Sequence, residues 1–285
     1  MHSRLTGVSY VLPAFAVLTL VLFSPVFYGL WFSLFRIQYG APTDFIGLGN
    51  FARLFEDPAL GGTLRRTLVF TSFSVAITIV IALALSVWIH KLPPKRGFVV
   101  QMIVIIPWII STVVATLLFR WVFVNDIGLA ISLARAAGFG EIHLLNDPNS
   151  AMALLISVSV WKRIGYAVII ILAGLKSIPD DYEEAASLDG ATAWQVFRMI
   201  TLPLLKTPLL LVTIVLTLSN INTVETPLVL TGGGPGSATR ILPIEVFDRA
   251  FVTYDLGSAT ALALVMFFGN VLLVLGYVRL AKWKA

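Results

Sequence analysis

Apolar residues run along this chain in long blocks separated by shorter polar connections. The run "LVFTSFSVAITIVIALALSVWI", residues 68–89, is apolar on every side, as a helix surrounded by lipid must be. A barrel strand would instead alternate in polarity over about ten residues. With about 20 apolar residues needed per crossing, the pattern predicts six helical spans, at about 10–35, 67–90, 98–122, 151–175, 207–231 and 257–280. The expected fold class is an all-α integral membrane protein with six transmembrane helices, forming a single transmembrane domain over residues 1–285. The first apolar run is too long for a cleaved signal segment and lacks a small-residue cleavage site, so it is expected to be retained. Pro107 and Pro227 are expected to kink spans three and five.

The connections differ in character. Residues 36–66 mix turn residues with aromatics and predict an ordered loop with a short helix around Asn50 to Phe55. The next, through about residue 150, has the spacing of a short amphipathic helix followed by a Gly-rich turn. The third contains "TGGGPGSATR", residues 231–240, expected as a tight turn that could also meet a partner. No tandem repeat or separable soluble module is visible.

The most polar long stretch is "EEAASLDGATAWQVFRMITLP", residues 183–203, within a loop at about 176–206 between spans four and five. Pro179 suits a first helical turn, while Asp180, Asp181, Glu183 and Glu184 favour the positive end of a helix dipole. Gly190 suits a C-cap, giving a helix of about 179–189. Thr192 with Gln195 fits a capping box, and a second helix is expected to run to about Thr201, ahead of Pro203. Such a helix–turn–helix can rest on the lipid surface or dock on a protein. Its acidic first helix disfavours an anionic leaflet, and small Ala185 and Ala186 permit close approach to a partner.

Composition narrows the class. The chain is 58% hydrophobic and 12% charged, and its mean hydropathy of +0.92 excludes a soluble globular domain. A net charge of +5 and a pI near 9.6 could suggest nucleic acid, but the basic residues form no patch interleaved with aromatics, so none is expected. They report topology instead. Lys91, Lys95, Lys176, Lys206, Lys282 and Lys284, with Arg96, Arg198 and Arg279, fall in alternate connections and at the C-terminus. The opposite connections hold arginines but no lysine, so by the positive-inside rule both termini and the 176–206 loop are expected in the cytoplasm. With no cysteine, disulfides and thiolate metal sites are excluded.

The run Glu184-Ala185-Ala186, then Gly190, Ile200, Leu202 and Pro203, resembles the "EAA" loop of ABC importer permeases in both residues and spacing. "FIGLGNFARLFEDP", "SVWKRIGY", "LTGGGPGSAT" and "DLGSATALAL" extend the resemblance over nearly the whole chain, to the maltose-type first permease of the carbohydrate branch. The resemblance implies that the loop is a coupling helix held in a groove of a cytoplasmic ATPase. It assigns that contact to Glu184, Ala185, Ala186, Asp189 and Gly190, with Trp194 and Phe197 on the second short helix. It also implies a second permease, two ATP-binding subunits that bind ATP and Mg, an extracytoplasmic solute-binding protein, and a bacterial or archaeal plasma membrane.

Charged residues within spans are costly, roughly 2.5–3.5 kcal/mol at the centre on insertion scales, and should have partners or line a cavity. Span four carries Trp161, Lys162, Arg163 and Tyr166; span five carries Ser219, Asn220, Asn222 and Glu225. Hydroxyls and amides match sugar hydroxyls, and an indole face matches a pyranose. These residues are candidates for a sugar path, or for polar contacts between helices or with the second permease. A phosphorylated polyol such as glycerol phosphate is an alternative cargo, since Lys162 and Arg163 can pair with phosphate.

The chain holds no phosphate-binding G-x-x-x-x-G-K-[ST] loop, so ATP must be hydrolysed elsewhere. An intramembrane enzyme is disfavoured because His2, His90 and His143 are scattered, no metal-binding spacing occurs, and Glu225 is the lone carboxylate candidate. A self-powered carrier using Lys162 and Glu225 is nearer, but it would have no use for an ATPase-docking loop. The expected function is an ATP-driven importer's permease subunit that moves a sugar or oligosaccharide by alternating access.

Overall fold

The computed structural model describes residues 2–38, 41–124, 127–138 and 143–283. Its elements, in chain order, open with α1 (His2–Ser33), the antiparallel pair β1 (Phe35–Gln38) and β2 (Ala41–Phe45), and α2 (Gly49–Glu56). There follow α3 (Pro58–His90), α4 (Pro94–Ile109), α5 (Thr112–Phe123), α6 (Leu129–Ala136) and α7 (Pro148–Lys176). Next come α8 (Asp181–Leu188), α9 (Ala193–Val196), a π-helical turn (Phe197–Thr201) and α10 (Leu202–Leu204). The chain continues through α11 (Lys206–Ile221), α12 (Glu225–Leu230), α13 (Leu242–Phe247), a second π-helical turn (Asp248–Val252) and α14 (Leu256–Trp283).

Among the described residues, four helices are long and apolar enough to cross a membrane: Leu12–Ser33, Pro58–His90, Pro148–Lys176 and Leu256–Leu280. The number reaches six if two bent pairs each count as one span, α4 with α5 at 91°, and Ala193–Leu204 with α11 at 65°. Span three, expected to be one kinked helix, is thus broken at Ile110 and Ser111, three residues beyond Pro107. Span five ends at Ile221 and resumes at Glu225. Pro227 does not make this break. It sits in the first turn of α12, where a missing N–H costs no helical hydrogen bond.

The described residues form two compact units. The first comprises Met1–Gly62 and Glu245–Leu272. Here the ordered first loop contains a hairpin as well as the expected short helix, because Phe35 and Ile37 alternate with Arg36 and Gln38 and so suit a strand buried on one side. Ile37 is buried, and the Phe35 and Phe45 rings meet edge to face at 5.3 Å. Asn50 is fully buried and donates to the carbonyls of Ser33 (2.7 Å) and Phe35 (2.8 Å), while accepting from Arg53 (2.6 Å). Gly257 is packed against the same knot, where a Cβ would fall 2.4 Å from the Phe35 carbonyl oxygen. Arg249 ties Asp57 (2.7 Å), Glu245 (2.9 Å) and the Ser258 hydroxyl (2.6 Å) together.

The second unit comprises Thr63–Ile244 and Leu273–Ala285. One core cluster joins Val75, Ala82 and Ile89 of α3 to Val168, Ile171 and Leu172 of α7 and to Val212 and Leu216 of α11. Another surrounds Phe70 with Leu155, Val158, Leu230 and Ile241. Helix approach is close because small residues sit at the crossings. A Cβ on Gly165 would fall 2.5 Å from the Val104 carbonyl oxygen of α4, and one on Gly174 would meet Pro208 at 2.6 Å. Thr67, Thr78 and Ser86 of α3 are buried and bond to backbone carbonyls at Thr63, Ser74 and Val168. The "TGGGPGSATR" segment is a compact turn: Gly232, Gly233 and Gly236 have positive φ, and buried Thr239 bonds to Thr231 and the Gly234 carbonyl. The amphipathic helix of the second loop is α6, but much of its Gly-rich turn, like Lys284, lies outside the described residues.

Candidate functional site

Two regions of the second unit gather the residues singled out by sequence. One is the hairpin from Asp181 to Leu204. Helix α8 begins after Asp180 and carries three acids in its first turn, so Pro179 lies just outside it rather than within. Asp189 closes the helix, and the amide of Ala191 reaches back to the Ala186 carbonyl (3.0 Å) across Gly190, whose φ is +77°. This is the left-handed closure that glycine takes without strain.

The capping box is present: the Thr192 hydroxyl accepts from the Gln195 amide, and the Gln195 side chain accepts from the Thr192 amide at 2.7 Å. The helix does not stop before Pro203. It widens into a π turn over Phe197–Thr201, with the Leu202 amide bonded to the Phe197 carbonyl, and carries Pro203 through to Leu204. The wider turn moves backbone away from a ring that would clash in a regular α-helix.

The hairpin offers much and binds little. Glu184 and Ala185 are exposed, and among the described residues the Glu184 carboxylate has no ion pair or hydrogen bond. Leu188 is 90% exposed, and Trp194 and Met199 are largely exposed as well. Trp194 stacks on Phe197 at 5.5 Å. A cavity of about 240 Å³ separates the hairpin from the ends of α3 and α7, lined by His90, Lys91, Leu175, Glu183 and Phe197 among others.

The other region is the break between α4 and α5. There the chain leaves carbonyls without helical partners, and Lys162 of α7 meets them. Its ammonium donates to the carbonyls of Pro107 (2.7 Å), Trp108 (3.2 Å) and Ile110. A cation is favoured at a helix C-terminus, and an ammonium has three protons to give. Arg163 is used in the same way, donating to the hydroxyl and carbonyl of Ser219 (3.0 and 3.2 Å) and to the Ser159 hydroxyl (2.6 Å). Ser159 in turn donates to Asn220 (2.9 Å), whose amide bonds to Leu216 (2.8 Å).

Beside this knot lies a polar cavity of about 360 Å³, lined by Trp108, Ile110, Ser111 and Thr112 from the break, Lys162 and Arg163 from α7, and Ser219, Asn222, Thr223 and Glu225. Asn222 and Glu225 are exposed. Asn222 also donates to the Leu218 carbonyl (2.7 Å).

Of the sequence candidates, Lys162, Ser219, Asn222 and Glu225 are therefore brought to one wall. Asn220 is fully buried behind it and spent on helix contacts. Trp161 packs edge to face on Phe119 at 5.0 Å, and Tyr166 tilts against Trp108 at 5.8 Å; neither lines the cavity. Trp108, Ser111 and Thr112 line it without having been singled out; the local signal was Pro107 with Ser111-Thr112 four residues on in an apolar run. Among the described residues no group of three metal-ligating side chains gathers.

Residues 79–284 match a family described as "Binding-protein-dependent transport system inner membrane component". The sulfoquinovosyl glycerol transport system permease protein SmoG of Agrobacterium fabrum is 32% identical, over 100% of this chain and 92% of its own. The trehalose/maltose transport system permease protein MalF of Thermococcus litoralis is 31% identical, over 98% and 94%. The sn-glycerol-3-phosphate transport system permease protein UgpA of Yersinia enterocolitica is 32% identical, over 93% and 89%. A chain of a bacterial ABC transporter involved in alginate import, 20% identical, shares the fold with a TM-score of 0.84 over 98% of both chains.

Proposed function

Because this chain belongs to the binding-protein-dependent transport system inner membrane components, a multi-pass permease of an ABC importer whose ATP hydrolysis lies in separate subunits, we propose that it carries a sugar or oligosaccharide past the broken helix of α4 and α5. The cargo is handed over by an extracytoplasmic solute-binding protein. A second permease completes the path, and two partner ATPases bind the ATP and Mg. Asn222, Ser219, Thr223 and Glu225 supply hydrogen-bonding groups on an open polar wall, and Trp108 supplies an indole.

The hairpin is the ATPase contact. The observation that carries this is its combination of exposed Glu184, Leu188 and Trp194 with side-chain hydrogen bonds that, among the described residues, stay within the hairpin. Both termini and the hairpin face the cytoplasm on the lysine distribution. A phosphorylated polyol is the second cargo reading, favoured by two cations on the cavity wall. It is weakened because the Lys162 protons are directed at carbonyls and Arg163 is bonded to Ser159 and Ser219.

Reconstituted complexes test the coupling assignment. A Cβ at Gly190 would meet nothing within 4 Å, so Gly190→Val acts through its strained positive φ alone. Gly190→Val and Glu184→Lys should abolish the stimulation of ATPase activity by loaded binding protein, with at least a tenfold loss of uptake and unchanged thermal stability of the spans. Normal stimulation in both variants would make the hairpin a surface feature.

A further inference from the structure

At the turn between α3 and α4 the surface holds an open groove of about 530 Å³, lined by Trp88, Leu92, Lys95, Arg96, Val99 and Val100. It forms because Gly97 is buried against the end of α3, where its missing Cβ would lie 3.3 Å from the Ile89 carbonyl oxygen. The first turns of α4 are thereby drawn onto α3, and the side chains flanking Gly97 are left around a hollow. The floor is aliphatic. Lys95 and Arg96 are both exposed, and among the described residues neither makes a hydrogen bond or ion pair. Trp88 is half exposed in the last turn of a helix apolar enough to span the membrane.

We propose that this groove binds one anionic phospholipid, with the headgroup phosphate held by Lys95 and Arg96 and an acyl chain lying along Val99 and Val100. A tryptophan at the last turn of a spanning helix belongs at the depth of lipid headgroups. Two unpaired cations beside an apolar floor match the two halves of such a lipid, whereas a protein partner would have to bury both cations or pair them. The groove is also placed to matter. His90 and Lys91, in the same turn, line the cavity under the hairpin together with Glu183, so a lipid that fixes this turn fixes one wall of that cavity. The inference rests on the membrane embedding of α3 and α4, and not on the hairpin's role.

The assembled importer in nanodiscs of phosphatidylcholine, titrated with phosphatidylglycerol and read by native mass spectrometry without ATP, tests it independently of coupling. Wild type should show a retained phosphatidylglycerol that phosphatidylcholine does not replace. Lys95→Gln and Arg96→Gln should each weaken it about fivefold, the equivalent of ~1 kcal/mol per basic residue near an anionic surface; Arg96→Lys should keep most of the binding. If the double glutamine variant fails to assemble, Val99→Trp, which fills the groove and leaves the charges, should lose the lipid instead. Unchanged retention in these variants, or equal retention of phosphatidylcholine, would overturn the proposal. So would a cross-link between Val99→Cys and the second permease, since the groove would then be a subunit interface.

Discussion

Glu184 and Lys162 are both charged residues inside conspicuous sequence motifs, and the fold treats them in opposite ways. Glu184 stands exposed on a hairpin whose side-chain hydrogen bonds, among the described residues, stay within it, with Leu188 and Trp194 also exposed. Lys162 is 7% exposed and donates to three carbonyls. A side chain with every donor committed is holding its own chain together. One left open beside exposed apolar groups is available to another. By that measure the hairpin fits the partner surface we propose for it, and the Lys162–Arg163 cluster is a structural clamp with a cavity on its open side.

The largest effect should follow from removing the clamp. Lys162→Met leaves the Pro107, Trp108 and Ile110 carbonyls without their donor in a low-dielectric setting, a loss on the order of 3 kcal/mol. The purified complex should melt several degrees lower and transport should fall to background, because the break that shapes the cavity is no longer held. A Met variant with wild-type melting and uptake would dissolve the distinction between clamp and hairpin.

A smaller effect is expected on the cavity's open side. Asn222→Ala and Glu225→Gln each remove one group facing the hollow, worth about 0.5–1.5 kcal/mol if bonded to cargo. Uptake should fall about threefold to tenfold, mainly through the half-saturating cargo concentration, with melting unchanged. Should both variants instead melt lower with cargo dependence intact, the open wall would belong to the clamp as well.

The sequence made the helices legible because lipid demands long apolar runs, and it made the hairpin legible because caps, glycine and a capping box are local devices. The positive φ of Gly190 and the Thr192–Gln195 pair needed no tertiary information. The break after Pro107 was less visible: an apolar run reads alike whether or not a lysine on α7 donates to its carbonyls. For the same reason Asn220 looked equivalent to Asn222. They stand two residues apart, but helical geometry turns one into the contact with α7 and leaves the other at the cavity. The roles of Gly165 and Gly174 depend wholly on which helix passes by.

Asp147 sharpens the comparison because it combines exposure with satisfied bonds. It caps α7, accepting from the amides of Asn149 (3.1 Å) and Ser150 (2.9 Å). The Ser150 backbone bond is the main reason its carboxyl sits below the ordinary value of 3.8, and burial opposes it only in part. A depressed carboxylate stabilises the fold above its ordinary value and loses that contribution as pH falls through the folded one. If committed bonds rather than exposure decide a residue's role, Asp147→Ala should loosen only the first turn of α7. Hydrogen exchange at Asn149, Ser150 and Ala151 should quicken, with uptake and ATPase stimulation unchanged. Acidification should bring the wild-type exchange rates toward those of the variant. Faster exchange as far along α7 as Lys162, or slowed uptake, would mean that an exposed, locally satisfied residue also controls the clamp, and exposure with local bonding would no longer separate the two regions.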